Sequence, residues 1–157
     1  MNTPEQNIIN TLQGKSVLFI ENDSSLGDER LEEFAKILDS ADIKYEVIVN
    51  ANDLMKQDVN LLTEPIMKAD AIIFMTQWVY EVSRVLREFI SELPDKKIIV
   101  EVYISNPSWY YSSQHGTHHD VYIYTCMKWG WDGPKERETF YKLTEKPYWG
   151  YENKFDK

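Results

Sequence analysis

Five short apolar runs, mostly β-branched and aromatic, recur along the chain: "KSVLFIE" (15–21), "IKYEVIV" (43–49), "DAIIFMT" (70–76), "KKIIVEVYI" (96–104) and "VYIYTCM" (121–127). Runs of this length with little polar alternation read as strands buried on both faces. The segments between the first four carry a different period. Residues 28–41 place Leu31, Phe34, Ala35 and Leu38 on one helical face with acids opposite. Residues 53–68 carry Leu54, Val59, Leu62, Ile66 and Met67, in a helix that Pro65 is expected to kink. Residues 79–93 turn Val82, Val85, Leu86 and Phe89 inward. Ile8, Ile9 and Leu12 predict a short helical arm within residues 1–14. Pro134, a good first-turn residue, predicts a last helix reaching about residue 143.

Strands alternating with helices imply a parallel sheet covered on both faces, and right-handed crossovers leave few topologies. A five-stranded doubly wound sheet of order 2-1-3-4-5, in a three-layer α/β sandwich, is the economical solution for one domain spanning 1–157. Residues 144–157, with Pro147, Tyr148, Trp149 and Tyr151, form an aromatic C-terminal arm in this reading. That arm is too polar for a core of its own, which points to packing on the body of the domain or on a second copy, the latter giving the expected homodimer.

The formal net charge of -9 and absence of a basic cluster argue against a nucleic-acid partner, which needs a cationic face to release counterions. The single Cys126 precludes an intramolecular disulfide and fits a reducing compartment. No apolar run approaches the ~20 residues of a membrane span, and the polar "MNTPEQN" start does not read as a signal peptide. The expected location is cytoplasmic, without membrane association.

In the 2-1-3-4-5 order the ligand crevice lies at the switch point between strands one and three. Three loops meet there: "ENDSSLGDE", "TQWVYE" (76–81) and "SNPSWYYSSQHGTHHD" (105–120). The run "ADAIIFMTQWVYEVSRVLREFISEL" is similar to the third strand and following helix of flavodoxin-like quinone and FMN reductases. "DSSLGDE" resembles the flavodoxin phosphate loop, and "SNPSWYY" stands where such proteins place a loop against the isoalloxazine. The resemblance implies a flavodoxin-like fold, FMN as cofactor and an FMN-dependent oxidoreductase acting on a small molecule. It assigns the phosphate to Ser24, Ser25 and Gly27, and the ring to Thr76, Trp78, Tyr80, Trp109 and Tyr110. Aromatic faces suit a flat, electron-poor flavin, although Trp and Tyr also serve simply to pack loops.

Asp28 and Glu29 depart from the neutral residues usual in that loop. Two carboxylates within ~5 Å of a phosphate repel it by a few kcal/mol at an effective dielectric near 20. The competing reading is that Ser25 or Asp28 only caps the helix. Two other classes of function follow from the same residues. One is a flavin-free domain that recognises a small polar ligand or a protein through its aromatic third. The other is a hydrolase or glycosyl-transfer enzyme using a crevice carboxylate such as Glu21, Asp23 or Glu81.

"HGTHHD" holds every histidine of the chain, His115, His118 and His119. The spacing of His115 and His118, with Asp120 adjacent, allows a metal site. A surface loop rich in histidine, without metal, is the simpler reading. His115 or His118 there could serve as a general acid. The catalytic candidates are thus His115, His118, Glu21 and Glu81. A receiver domain would share the fold, and Glu21, Asp23, Ser105 and Lys128 resemble its parts. Met75-Thr76-Gln77 then stands where the phosphoacceptor carboxylate is required, which argues against a working receiver.

Overall fold

The computed structural model describes residues 3–21, 29–75, 81–103, 119–127 and 137–142. In chain order the elements are α1 (Pro4–Leu12), β1 (Val17–Ile20), α2 (Glu29–Ser40), β2 (Tyr45–Ile48), α3 (Ala51–Gln57) and α4 (Asn60–Lys68). They continue with β3 (Ala71–Met75), α5 (Glu81–Ser91), β4 (Ile98–Tyr103), β5 (Asp120–Met127) and β6 (Arg137–Lys142). All six strands form one sheet of order β2-β1-β3-β4-β5-β6. The first five are mutually parallel, and β6 pairs antiparallel with β5. The fold is α/β, with a single mostly parallel sheet.

The expected five-stranded, all-parallel sheet is therefore extended by a sixth, antiparallel strand. The helix expected from Pro134 is replaced over its second half by β6; residues 128–136 lie outside the described residues. The reason is local. "RETFYK" sets Phe140 and Tyr141 on opposite faces of the sheet, and Phe140 buries itself against Phe34 and stacks on Tyr122, with ring centroids 6.3 and 5.1 Å away. Tertiary packing of β-favouring Thr, Phe and Tyr outweighs the helix-start signal of a distant proline.

The helix expected over 53–68 is two helices, and the break lies at Asp58 rather than at Pro65. Asp58 is extended, at φ -165°, and its carboxylate accepts the amide of Asn60 at 3.0 Å to start α4. Pro65 sits inside α4. Residues 4–12 form a capped helix: Thr3 Oγ1 accepts the Gln6 amide at 3.1 Å, and Pro4 occupies the first turn, where its missing N–H costs nothing.

Strand alternation divides the core in two. Val17, Phe19, Ala71, Ile73, Val100, Val102, Tyr124 and Phe140 face α1 and α2 together with Ile8, Leu12, Leu31, Phe34 and Leu38. Leu18, Ile20, Ile72, Phe74, Ile99, Val121 and Ile123 face α3, α4 and α5 through Ala51, Leu62, Ile66, Leu86 and Ile90. Burial of both faces explains the continuous apolar runs of the central strands. Within the described residues no helix is long and apolar enough to cross a membrane.

Candidate functional site

From β1 the chain proceeds to β2 on one side of the sheet, and from β2 it returns past β1 to β3 on the other. This reversal is the switch point, and the carboxyl ends of the strands beside it form the edge where open α/β sheets bind ligands. The registers Ile20↔Ile48, Ile20↔Phe74, Met75↔Val102, Tyr103↔Thr125 and Met127↔Arg137 bring those ends to one edge. From that edge the chain enters 22–28, 76–80, 104–118 and 128–136.

Of the expected site residues, Ser24, Ser25, Gly27, Thr76, Trp78, Tyr80, Trp109, Tyr110, His115 and His118 lie outside the described residues. Glu81 is the first residue of α5. Glu21 is the one whose surroundings are defined. It continues the β1–β2 ladder by one residue: its amide donates to Ile48 O and its carbonyl accepts from Ala51 N, both at 2.9 Å. Asn50 makes the turn between those partners in the left-handed region, at φ 59°. Asparagine tolerates that conformation better than most side chains. Alternation along β1 directs Glu21 to the α2 side, and it is only 5% exposed. A carboxylate is thus sealed at the crevice end of β1, ahead of the segment that leads to Glu29 at the start of α2.

That placement bears on a flavin phosphate. A strand, a short connection and a helix start at a switch point give the backbone frame such a group uses. The formal charges of Asp28 and Glu29 at the head of α2 oppose it.

The sequence reading overlooked further buried polar groups. Glu101 is completely buried in β4, in register between Phe74 and Ile123. Its signal was visible as the one acid in "IIVEVY", a run otherwise apolar or aromatic. Tyr124, also fully buried, donates its hydroxyl proton to Glu138 Oε2 at 3.0 Å and so links β5 to β6. With Glu21, they place three carboxyl groups toward the sheet's carboxyl half.

The amino edge is built differently. Ser16 and Asp70 bond reciprocally, Ser16 N to Asp70 Oδ2 at 3.1 Å and Asp70 N to Ser16 Oγ at 2.9 Å. The Ser16 amide in particular holds the Asp70 carboxyl below the usual carboxylate range against partial desolvation, helped by the Ser16 hydroxyl and the nearby Lys15 and Lys97 charges. Lys97 is buried, and its ammonium donates to Met67 O at 2.8 Å and Ala69 O at 2.7 Å, the carbonyls left open at the end of α4. Asp120 bonds Lys142 at 3.1 Å and lies 3.4 Å from Lys96. Desolvation pushes its carboxyl up, but the bonds and charges of Lys142 and Lys96 together bring it below the ordinary value.

His119 belongs to this amino edge, not to the crevice. It is 6% exposed, its Nδ1 accepts the Lys97 amide at 3.0 Å, and its Nε2 lies 2.7 Å from Ile90 O. The surface-histidine reading of "HGTHHD" is therefore corrected at its last histidine. The β4–β5 pairing requires the chain to pass from the carboxyl edge at Tyr103 to the amino edge at His119, so the motif does not sit as a unit in the crevice.

An open groove of about 870 Å³ also lies at the amino edge, between the 13–16 turn, the 42–46 turn and the end of α4. Lys15, Lys44 and Lys68 line it, as do Asp42, Glu46 and Glu64, so its formal charges cancel. Burial raises the pKa of the Tyr45 phenol on its wall, reinforced by a bond with Asp39 and that residue's charge. Size alone suits a ligand, but a groove with no net field at the closed edge of a parallel sheet is a weaker candidate than the switch point.

Comparison with models of protein families, with curated proteins and with solved structures finds no match to this chain.

Proposed function

We propose that this chain is a flavodoxin-like domain that binds a small molecule in the crevice at the β1/β3 switch point, with FMN as ligand and oxidoreduction as activity. The observation that carries the reading is the strand order β2-β1-β3-β4 with all carboxyl ends on one edge. In this reading Ser24, Ser25 and Gly27 approach the phosphate, while Thr76, Trp78, Tyr80, Trp109 and Tyr110 enclose the ring. The flavin, when bound, supplies the redox chemistry; the protein binds it, stacks against it and excludes water. The acids at the head of α2 keep its affinity low.

Titration with FMN, followed by quenching of flavin fluorescence, tests this directly. Asp28→Asn removes one like charge and is expected to tighten binding by about 1 kcal/mol, or roughly fivefold in Kd. Gly27→Val is expected to weaken it, since a β-branched side chain blocks close backbone approach. Absence of binding by wild type and Asp28→Asn alike removes the flavin from the proposal.

The buried Glu21 supports a second reading. A desolvated carboxylate at a crevice is suited to act as nucleophile or base in hydrolysis or glycosyl transfer. Turnover of a glycosidic or ester substrate that Glu21→Gln abolishes, with folding intact, would replace the oxidoreductase reading.

A further inference from the structure

We propose that His119 is an acid-sensitive tie: its protonation opens the corner of the fold where α5, β4 and β5 meet. A backbone amide can only donate, so Nδ1, which receives the Lys97 N–H, carries no proton. A carbonyl can only accept, so Nε2 carries the proton and donates it to Ile90 O. The imidazole is thereby fixed as one neutral tautomer, and it bonds the approach to β4, the C-terminal end of α5 and the entrance to β5. Protonation at Nδ1 turns that acceptor into a donor facing another donor. It also places a cation in a site only 6% exposed.

Among the described residues, Lys96, Lys97, Asp120 and Lys142 are already engaged, and Glu88 and Glu92 lie exposed. On the approach to β4, the buried Lys97 side chain is a cation itself and donates to Met67 O and Ala69 O, so it offers a charged ring no counter-charge. Lys96, also there, and Lys142 at the end of β6 both engage Asp120, which opens β5, so the one carboxylate beside His119 in sequence is shared by two lysines. Glu88 and Glu92 near the end of α5 are exposed or nearly so, where water screens them. Asp70, at the start of β3, is bonded to Ser16.

The sign follows from linkage. A histidine that stays neutral when folded and ionises when unfolded contributes stability that is present above the unfolded value of about 6.5 and lost as pH falls below it. Glutamine at position 119 can accept and donate through one amide and does not titrate, so His119→Gln is the control. Urea unfolding of the full chain is measured from pH 8 to pH 5 on both proteins. The wild-type unfolding constant is expected to rise relative to that of His119→Gln by up to about thirtyfold across that range, the ratio set by an unfolded value near 6.5. A relative rise below about threefold overturns the proposal.

Hydrogen exchange on wild type alone keeps the test open if the variant does not fold. The protection factors of the Lys97 and Ile98 amides should fall on acidification to pH 5 before those of β1 do. A ring that titrates in the folded protein near its ordinary value while the Lys97 amide stays protected also overturns it.

Discussion

At Asp70 a single side chain shows how the amino edge depends on charge. The carboxylate accepts the Ser16 amide while its own amide is bonded to the Ser16 hydroxyl, so two strand starts are clasped side by side. Because its folded pKa lies below the unfolded one, its contribution is present above about pH 4 and disappears as pH falls through the folded value. Asp70→Asn retains an oxygen for the Ser16 amide and abolishes the titration. Urea unfolding at pH 7, 4 and 3 should show wild type and Asp70→Asn converging in stability toward the acid end, with the largest gap at pH 7. The exposed position of Asp70 keeps that gap small, within the ~1 kcal/mol typical of surface ion pairs and bonds. Ser16 and Asp70 look like unremarkable linker polars in the sequence. Their partnership spans 54 residues, and no local pattern encodes it.

Among the elements, β6 is the most instructive. Its antiparallel register places Phe140 opposite Tyr124 and Lys142 opposite Tyr122, and Phe140 completes the aromatic cluster of Phe34, Tyr124 and Tyr122. Phe140→Ala should lower the unfolding free energy by about 3–5 kcal/mol, measured by chemical denaturation. A loss below ~1 kcal/mol would mean that β6 is dispensable to the core. The five parallel strands were legible because each is a run of apolar residues with few polar interruptions, "VLFI" and "AIIFM" above all. Helices α2 and α5 were legible from their single apolar faces. β6 was not, since Glu138, Thr139 and Lys142 give it the polar composition of an edge strand and Pro134 signalled a helix. The α3–α4 break was missed for a related reason. Pro65 attracts attention as the helix breaker, whereas the chain turns at Asp58, whose side chain starts the next helix.

For the whole molecule, topology was readable where site chemistry was not. The crevice follows from strand order alone, and Glu21 was singled out as the residue that closes the first apolar run. Its burial was not readable, because an acid at a strand end is ordinarily solvated. Buried Glu101 and the Tyr124–Glu138 pair escaped notice because their burial depends on neighbours distant in sequence. The aromatic residues beyond β6 bear on self-association. If they form a contact between copies, sedimentation equilibrium at tens of micromolar should give a dimer, and truncation after Leu143 should shift it to monomer. A wild-type monomer under those conditions removes the dimer.

Helix α1 packs beside β6, with Ile8 and Leu12 in the same cluster as Phe140. The ribosome releases α1 more than a hundred residues ahead of β6. Helix α1 carries two fully buried positions, Ile8 and Leu12; α2 can cover part of them early, but the β6 part of that cover is made only after the other five strands. During elongation at about 5–20 residues per second, the α1–α2 face of the sheet stays incomplete for roughly 6 to 25 seconds. Its apolar surface is open to chaperones over that interval. Contacts so far apart in sequence also slow spontaneous refolding. Deletion of residues 1–13, which removes Ile8 and Leu12 from the core, should lower the unfolding free energy by at least about 2 kcal/mol in chemical denaturation.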